Sequence, residues 1–122
     1  MVKDYDLILE TASATTTQSA LLLNGTANTP VVTPDDYIQS VYKLTVTNTG
    51  SAVEIITFQA GIYTGGTPSN TYTVATISIP AGDTQMFSEL DLKIIIPSGY
   101  YLLVQTSAGT ANVQALAYFT PA

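Results

Sequence analysis

Residues 71–119 read TYTVATISIPAGDTQMFSELDLKIIIPSGYYLLVQTSAGTANVQALAYF. In this stretch short apolar runs, at 71–79, 86–92, 100–107 and 112–119, alternate with turns. The turns contain Pro80-Ala81-Gly82, Pro97-Ser98-Gly99 and Ala108-Gly109. Short strands separated by tight proline and glycine turns are typical of an antiparallel β-sandwich or a jelly roll.

The same pattern extends toward the N-terminus. Segments 4–10, 40–47 and 53–63 alternate as strands do, and Asn48-Thr49-Gly50 joins the last two by a turn. With a short apolar run at 20–23 this makes about eight strands, and no segment has a sustained helical period. We therefore predict an all-β protein, an antiparallel β-sandwich of about eight strands that is jelly-roll-like. Jelly-roll and Ig-like connectivity both fit this strand list.

Alternation also predicts which side chains face the core. In segment 40–47, Tyr42, Leu44 and Val46 are expected inside, with Val41 and Lys43 outside. Val74 is out of phase with its strand, which indicates a bulge near 75–76 or a strand contacted on both faces. The expected core residues are Tyr5, Leu44, Val46, Phe58, Ile62, Ile77, Leu90, Leu102, Val104 and Phe119.

The chain has 122 residues, which predicts one domain. We expect residues 1–18 to form an N-terminal strand and a flexible arm, and residues 19–122 to form the sandwich. The N-terminus lacks the basic and apolar regions of a signal peptide, and no apolar run approaches the roughly 20 residues that span a bilayer. We expect a soluble protein made in a cytoplasm without a secretion signal.

Charge is scarce in this sequence. Charged residues make up 10 % of the chain and the net charge is −6, whereas ordinary domains are about 25 % charged. The acidic balance disfavours nucleic acid and anionic membranes as partners. It also leaves few charged residues to guard sheet edges, so edges are expected to be short, covered by loops, or buried in an assembly.

The residue types argue against an enzyme. The chain contains no His and no Cys, which excludes nucleophiles that depend on either residue. Glu89 and Asp91, two apart on a predicted strand, have the spacing of a carboxylate pair, but a solvated outer face explains them better. Asp35 and Asp36, with Asp83, suggest a calcium site only weakly. We predict no catalytic residues, no metal and no cofactor.

Tyrosine supplies the candidate contact residues, because its ring is apolar and its tip forms hydrogen bonds. Alternation leaves four tyrosines partly exposed, and a flexible tip lies between two of them. The predicted interface or ligand contacts are Tyr37, Tyr63, Gly65, Gly66, Asn70, Tyr72 and Tyr101.

Three segments carry a resemblance to a known group of proteins. They are YKLTVTNTG at 42–50 with IITF at 55–58, ISIPAGDT at 77–84, and IIIPSGYYLLV at 94–104. Over about residues 40–120 the sequence resembles small β-sandwich virion proteins of tailed phages, such as head-decoration and fibre-associated proteins. The turn at 48–50 also resembles Ig-like repeats of bacterial and archaeal surface proteins.

The phage resemblance implies a structural role in the virion. Such proteins form small homo-oligomers, frequently trimers, that bind the major capsid protein or other virion proteins and stabilise the assembled shell. We therefore expect a capsid decoration protein. The alternative is a β-sandwich module that binds glycan or a cell surface through Tyr63, the tip at 65–70 and Tyr72.

Overall fold

The computed structural model describes residues 8–20, 23–24, 29–64 and 67–122. Its elements are all strands: β1 (Ile8–Ala14), β2 (Ser19–Ala20), β3 (Leu23–Asn24), β4 (Thr29–Pro30), β5 (Tyr37–Asn48), β6 (Glu54–Ile62), β7 (Ser69–Ile79), β8 (Thr84–Ser88), β9 (Ile94–Ile96), β10 (Tyr100–Thr106) and β11 (Ala111–Pro121). Within the described residues, no helix has the length and apolar character needed to cross a bilayer.

The strands form two antiparallel sheets. The front sheet has the order β1-β11-β5-β8, with β9 pairing beside β8 on the same edge of β5, and the back sheet has the order β2-β10-β6-β7. We count β8 and β9 as one interrupted strand, set aside the short β3–β4 pair, and renumber the remaining eight strands from 1 to 8 in chain order. The front sheet then has the order 1-8-3-6 and the back sheet the order 2-7-4-5. This is the connectivity of a jelly roll. The predicted fold class is confirmed, and of the two connectivities left open the jelly roll is the one observed.

The core lies between the inner faces of the two sheets. Leu44, Val46, Phe58, Leu102 and Val104 are buried there, as the alternation of their strands predicts. Ile77 is also buried in this cluster. Removing such side chains from water stabilises the fold by about 25 cal/mol per Å² of apolar surface. The expectation for Leu90 is wrong, because that side chain is exposed on the turn after β8.

A bulge in β5 changes which residues face the core. Leu116 of β11 pairs with Lys43 and Ala117 pairs with Val41, so Tyr42 has no partner in the ladder. One extra residue reverses the alternation on its N-terminal side. Val41 is therefore buried, and Tyr42 lies outside the core cluster, contrary to the sequence-based expectation for both residues.

A second bulge lies in β7, the free edge of the back sheet. Phe58 pairs with Ala75 and Gln59 pairs with Thr73, which leaves Val74 unpaired and confirms the predicted bulge. The ladder shifts again between Ala60 and Ile62. Bulges bend and twist a strand, so they protect an edge from pairing with other chains. Strand β7 contains no charged residue. Its bulges take the place of the charged side chains that commonly prevent an edge strand from pairing with another chain.

The N-terminal strand extends further along the chain than the sequence pattern suggests. Within the described residues β1 runs from Ile8 to Ala14, past the predicted end at residue 10, and each of these residues pairs with β11. Part of the segment expected to be an arm is therefore a strand of the front sheet. Residues 1–7, including the expected core residue Tyr5, lie outside the described residues.

Buried polar side chains hold the turns at one end of the sandwich. The Asn48 amide donates to the carbonyl oxygens of Ala52 (2.8 Å) and Ile79 (2.9 Å), and its oxygen accepts from the Gly50 N–H (2.8 Å). This explains why the Asn48-Thr49-Gly50 turn connects the two sheets, since the amide satisfies backbone groups on both sides of it.

Glu54 has the corresponding role in the β10–β11 turn. Its carboxylate accepts from the N–H groups of Ala108 (2.5 Å) and Gly109 (2.8 Å) and from the Ser107 hydroxyl (3.0 Å). The hydrogen bond from Ala108, with those from Gly109 and Ser107, lowers the pKa of this buried carboxyl below its ordinary value of 4.5.

Candidate interaction surfaces

The outer face of the front sheet carries large apolar side chains in contact with solvent. Met86 is 61 % exposed, Leu90 is 86 % exposed and Ile95 is 49 % exposed. All three lie along the β8–β9 edge. We call this surface the front patch and define it as Tyr42, Met86, Leu90, Ile95 and Tyr118, with the charged residues Lys43, Glu89, Asp91 and Lys93.

Strand register brings these residues onto one face. Ser40 of β5 pairs with Tyr118 on one side and with Ile95 on the other, so both side chains point the same way as Ser40. Met86 pairs with Thr45, which follows the bulge and also faces outward. The front patch therefore spans β11, β5 and the β8–β9 edge.

A short turn between β8 and β9 projects Leu90 from the patch. The Asp91 carboxylate accepts from the Ser88 N–H (2.8 Å) and the Ser88 hydroxyl (3.1 Å), and the Leu92 N–H donates to the Ser88 carbonyl (3.1 Å). These bonds are typical of a turn in which an aspartate satisfies nearby backbone groups. They fix the loop that presents Leu90.

A second contact attaches this turn to the sheet. The Tyr118 hydroxyl donates to the Glu89 carboxylate (2.7 Å), and the Tyr118 ring packs against Tyr42 with centroids 5.8 Å apart. The hydrogen bond to Glu89 raises the pKa of Tyr118, because ionising the phenol would lose the bond and place two negative charges together. The turn is therefore held by both β8 and β11.

Two hollows flank the turn. The β8 hollow, about 290 Å³ in volume, is lined by Tyr42, Lys43, Met86, Phe87, Ser88 and Asp91. The β9 hollow, about 210 Å³, is lined by Glu89, Leu90, Lys93, Ile94 and Ile95. The patch thus presents one projecting leucine with a depression on each side.

The charge of the front patch differs from that of the whole chain. The two lysines of the patch, Lys43 and Lys93, balance its two acids, Glu89 and Asp91. The chain has three lysines and nine acids, so the remaining lysine and seven acids account for the entire net charge of −6. Two copies of this chain repel each other overall but meet no net repulsion between their front patches.

Part of the outer face of the back sheet is covered by the chain itself, although Ile55 of β6 is 48 % exposed there. Tyr101 is 4 % exposed and Leu103 is 1 % exposed, although both point away from the core. The ring of Tyr63 meets Tyr101 edge-on with centroids 5.6 Å apart. A Cβ on Gly61 would lie 3.0 Å from Leu103 and Pro68 and 3.1 Å from Thr71, so glycine lets these side chains pack more closely than any other residue would.

The residues predicted as contacts have different surroundings. Tyr63 and Tyr72 are exposed, as expected, whereas Tyr101 is buried under Tyr63 and not partly exposed. Tyr37 is half-buried, with its carbonyl accepting from the Ser98 hydroxyl (2.6 Å). Asn70 is exposed, with a positive φ of 50°.

Tyr63 and Tyr72 do not form one platform. Tyr72 packs against Tyr100, with centroids 5.9 Å apart, and Tyr63 packs against Tyr101. Tyr100 and Tyr101 are neighbours on a strand, so the two pairs lie on opposite faces of the back sheet. Gly65 and Gly66, the centre of the predicted tip, lie outside the described residues.

The acidic residues considered as a carboxylate pair or as calcium ligands do not come together as those sites require. Strand β8 ends at Ser88, so Glu89 and Asp91 lie on a turn and not on one face of a strand, contrary to the sequence-based expectation. Asp36 precedes β5, while the Asp83 carbonyl accepts from the Asn48 N–H at its far end. Twelve strand residues span roughly 36 Å at about 3.3 Å each, so these two aspartates cannot bind one ion. The described residues contain no group of three acids that could hold a metal.

Comparisons with known proteins show a shared fold. No protein-family model matches the chain, and a search of curated proteins finds no relative. The chain is similar in structure to a protein of Bacillus endospore appendages, described as a novel family of disulfide-linked pili, with a TM-score of 0.50, 14 % identity, and coverage of 96 % of this chain and 86 % of that one.

A second similar structure comes from infectious bursal disease virus, Gx strain. The TM-score is 0.53 and the identity 16 %, over 98 % of this chain and 31 % of the viral chain. This chain therefore spans about a third of the length of the viral protein. Identities this low establish a common fold, and the fold is one that occurs in a pilus protein and in a virus.

Proposed function

We propose that this protein is a structural subunit that assembles with further copies of itself, and that its contact surface is the front patch. The observation that carries this proposal is the exposure of Met86, Leu90 and Ile95 on a surface without net charge. Burying a side chain of this type stabilises a contact by about 1.5–3 kcal/mol. The two lysines and two acids of the patch cancel in charge, so they do not add to the repulsion between two copies.

The fold supports this proposal as an analogy. The similar structures come from a pilus, an assembly of repeated subunits, and from a virus. The appendage protein belongs to a family described as disulfide-linked, whereas this chain has no cysteine. Assembly of the present protein would therefore depend on non-covalent contacts. The apolar surface of the front patch would then be the main source of affinity.

In its finer form the proposal is a capsid decoration protein of a phage virion, acting as a homo-oligomer, with a trimer favoured. The turn pattern of residues 40–120 supports this form through its resemblance to small phage virion proteins. A protein that binds only the assembled shell stabilises it by its binding free energy, so the mechanism is mass action. We propose no catalytic role for Glu89 or Asp91, whose carboxylates are bound by Tyr118 and Ser88.

The first test is the native mass of the purified full chain, measured by light scattering after gel filtration over a range of concentrations. A closed oligomer supports self-assembly, and a trimer supports the decoration form. A monomer at every concentration contradicts self-assembly. Co-sedimentation with assembled particles of the source then tests shell binding separately.

The second candidate is recognition of a glycan or cell surface beside the tip at 65–70. The exposure of Tyr72 favours it, because exposed aromatic rings stack on sugars. Tyr72→Ala is the informative change, since Tyr63 also covers Tyr101. Loss of binding on a glycan array in Tyr72→Ala, but not in Tyr42→Ala, would support this function, and an array without hits for the wild type would reject it.

A further inference from the structure

A third hollow on the front sheet differs in chemistry from the two beside the Leu90 turn. This β11 hollow lies between β5 and β11, has a volume of about 210 Å³, and is lined by Lys43, Thr45, Gln114 and Leu116. We propose that it binds a sugar that carries a carboxylate, a uronic acid. This inference goes beyond the proposed function, because binding of a sugar requires no second copy of the chain.

Strand register builds the β11 hollow from two neighbouring cross-strand pairs. Leu116 pairs with Lys43, and Gln114 pairs with Thr45. The lining side chains lie on the outer face of the sheet, because Ala115, which separates the two pairs on β11, is buried in the core. Neighbouring strands are about 4.8 Å apart, and alternate residues of one strand are about 6.6 Å apart. The four side chains therefore surround an area close to that of one sugar ring.

The β11 hollow carries charge of one sign. Lys43 is the only charged residue that lines it, whereas Asp91 lines the β8 hollow together with Lys43. The Asp91 carboxylate is bound by Ser88, and no residue of the described part of the chain forms an ion pair with Lys43. The ammonium group is thus available to a ligand. One lysine balances one negative charge, so a carboxylate suits this chain of net charge −6 better than a phosphate dianion does.

The uncharged part of the lining suits the remainder of a sugar. The Thr45 hydroxyl and the Gln114 carboxamide can each donate and accept hydrogen bonds, and sugar hydroxyls do both. The Leu116 side chain offers an apolar contact to the C–H groups of a sugar ring. A small number of polar groups converging beside an apolar surface is typical of small-molecule sites.

The surface next to the β11 hollow is polar and uncharged. Asn112 pairs with Thr47, two residues further along the same two strands. The Thr47 hydroxyl shares a hydrogen bond with the Thr84 hydroxyl (2.8 Å), and Asn112 and Thr84 are exposed. These groups can bind hydroxyls of an adjacent sugar unit. The surface therefore fits a sugar chain in which the unit at Lys43 carries the carboxylate.

Titration of the ¹⁵N-labelled full chain with three small probes, followed by NMR, tests the proposal. Glucuronate has a carboxylate and hydroxyls, glucose has the hydroxyls without the carboxylate, and acetate has the carboxylate alone. We expect glucuronate to shift the amide signals of Thr45, Gln114 and Leu116 saturably. The dissociation constant should be millimolar, because exposed ion pairs and hydrogen bonds each contribute little. Binding of acetate or glucose as tight as that of glucuronate would overturn the inference.

Lys43→Met tests the role of the charge, because it keeps an unbranched side chain and removes the ammonium group. It should weaken glucuronate binding about fivefold. Lys93→Met, which removes the same charge from the β9 hollow, is the matched control and should bind glucuronate as the wild type does. Equal weakening in both variants would mean that only the overall charge attracts the probe, and would overturn the inference.

A second titration separates this inference from the proposed function. Lys43 also belongs to the front patch, so a neighbouring copy on that patch would cover one side of the β11 hollow. The glucuronate titration is therefore repeated with Leu90→Asp, whose substituted residue does not line the hollow. Saturable binding in either chain supports the inference, and its absence from both would overturn it. Light scattering of the same samples reports self-assembly independently of the sugar.

Discussion

The outer faces of the two sheets differ in what covers their apolar side chains. On the back sheet, Tyr101 and Leu103 point outward and are buried; Tyr63 packs edge-on against Tyr101, and Leu103 lies with Pro68 and Thr71 close around Gly61. On the front sheet, Met86 and Ile95 point outward and stay exposed. The chain thus covers part of the back face, where Ile55 of β6 is still 48 % exposed, and leaves Met86 and Ile95 of the front face uncovered.

The difference follows from the two connections. After β6 the chain places Tyr63 against Tyr101, and Gly61 leaves room for Pro68 beside Leu103. Between β8 and β9 the five residues from Glu89 to Lys93 form a tight turn that instead adds Leu90 to the exposed surface. The proposed function requires that another molecule completes the front face. The following predictions test that requirement, from the largest effect to the smallest.

The same substitution on each face should have opposite consequences. Leu103→Ala removes a buried side chain and should lower the free energy of unfolding by about 2–5 kcal/mol. Leu90→Ala removes an exposed one and should change it by less than about 0.5 kcal/mol in the monomer. Urea unfolding at low protein concentration measures both, and similar losses in the two variants would end the comparison.

Disturbing the packing around Gly61 should expose apolar side chains on the outer face of the back sheet, as they are exposed on the front sheet. Gly61→Ala places a Cβ 3.0–3.1 Å from Leu103, Pro68 and Thr71, so the loop must move. We expect a loss of about 1–3 kcal/mol, together with increased binding of an apolar dye. Ser78→Ala, an exposed change on β7, should show neither effect. An unchanged stability in Gly61→Ala would mean that the cover is not tightly packed.

A pH series tests how the Glu54 carboxylate, which lies outside the front patch, contributes to the stability of the fold. The pKa of Glu54 is lowered in the folded state, so its contribution is complete above the ordinary carboxyl pKa of 4.5 and is lost as the pH falls through the folded value. Glu54→Gln should be about 1.5 kcal/mol less stable at neutral pH. It should also lose less stability than the wild type on acidification. Parallel pH curves for the two proteins would contradict the role of this carboxylate.

The smallest effect concerns the bond that holds the Leu90 turn. Tyr118→Phe removes the hydrogen bond to Glu89, which should cost less than about 1 kcal/mol of monomer stability. It should still weaken self-association measurably, because Leu90 is then less well fixed. Tyr42→Phe keeps the ring and serves as the control. Association unchanged in Tyr118→Phe would show that the turn needs no such support.

Much of the fold follows from local sequence patterns. Pro/Gly turns and alternation at 71–119 located β7, β10 and β11, because the residues that end a strand are local and distinctive, but they merged part of β8 with the turn after it and missed β9. The bulge at Val74 was also predictable, since its neighbours are out of phase. The connectivity was not, because jelly-roll and Ig-like sandwiches share the same local signals.

The candidate site depends on features that local patterns do not reveal. The bulge at Tyr42 has no glycine or proline to mark it, and Val41 and Tyr42 are both apolar, so either could face the core. Leu90 continues the alternation of Met86, and only the Ser88 and Asp91 pair signals that the strand has ended. The burial of Tyr101 depends on a distant loop. Met86 was missed because its strand was assigned without knowing which face is covered, and Ile95 because strand β9 (Ile94–Ile96) was not predicted.

The most direct test of the open front face is sedimentation velocity across a dilution series of the wild type, Leu90→Asp and Val53→Asp. The two variants add the same charge at similarly exposed apolar positions, one inside the front patch and one outside it. We predict that the wild type and Val53→Asp sediment as the same closed oligomer, while Leu90→Asp sediments as a monomer. An oligomer in Leu90→Asp, or its loss in Val53→Asp, would contradict the account.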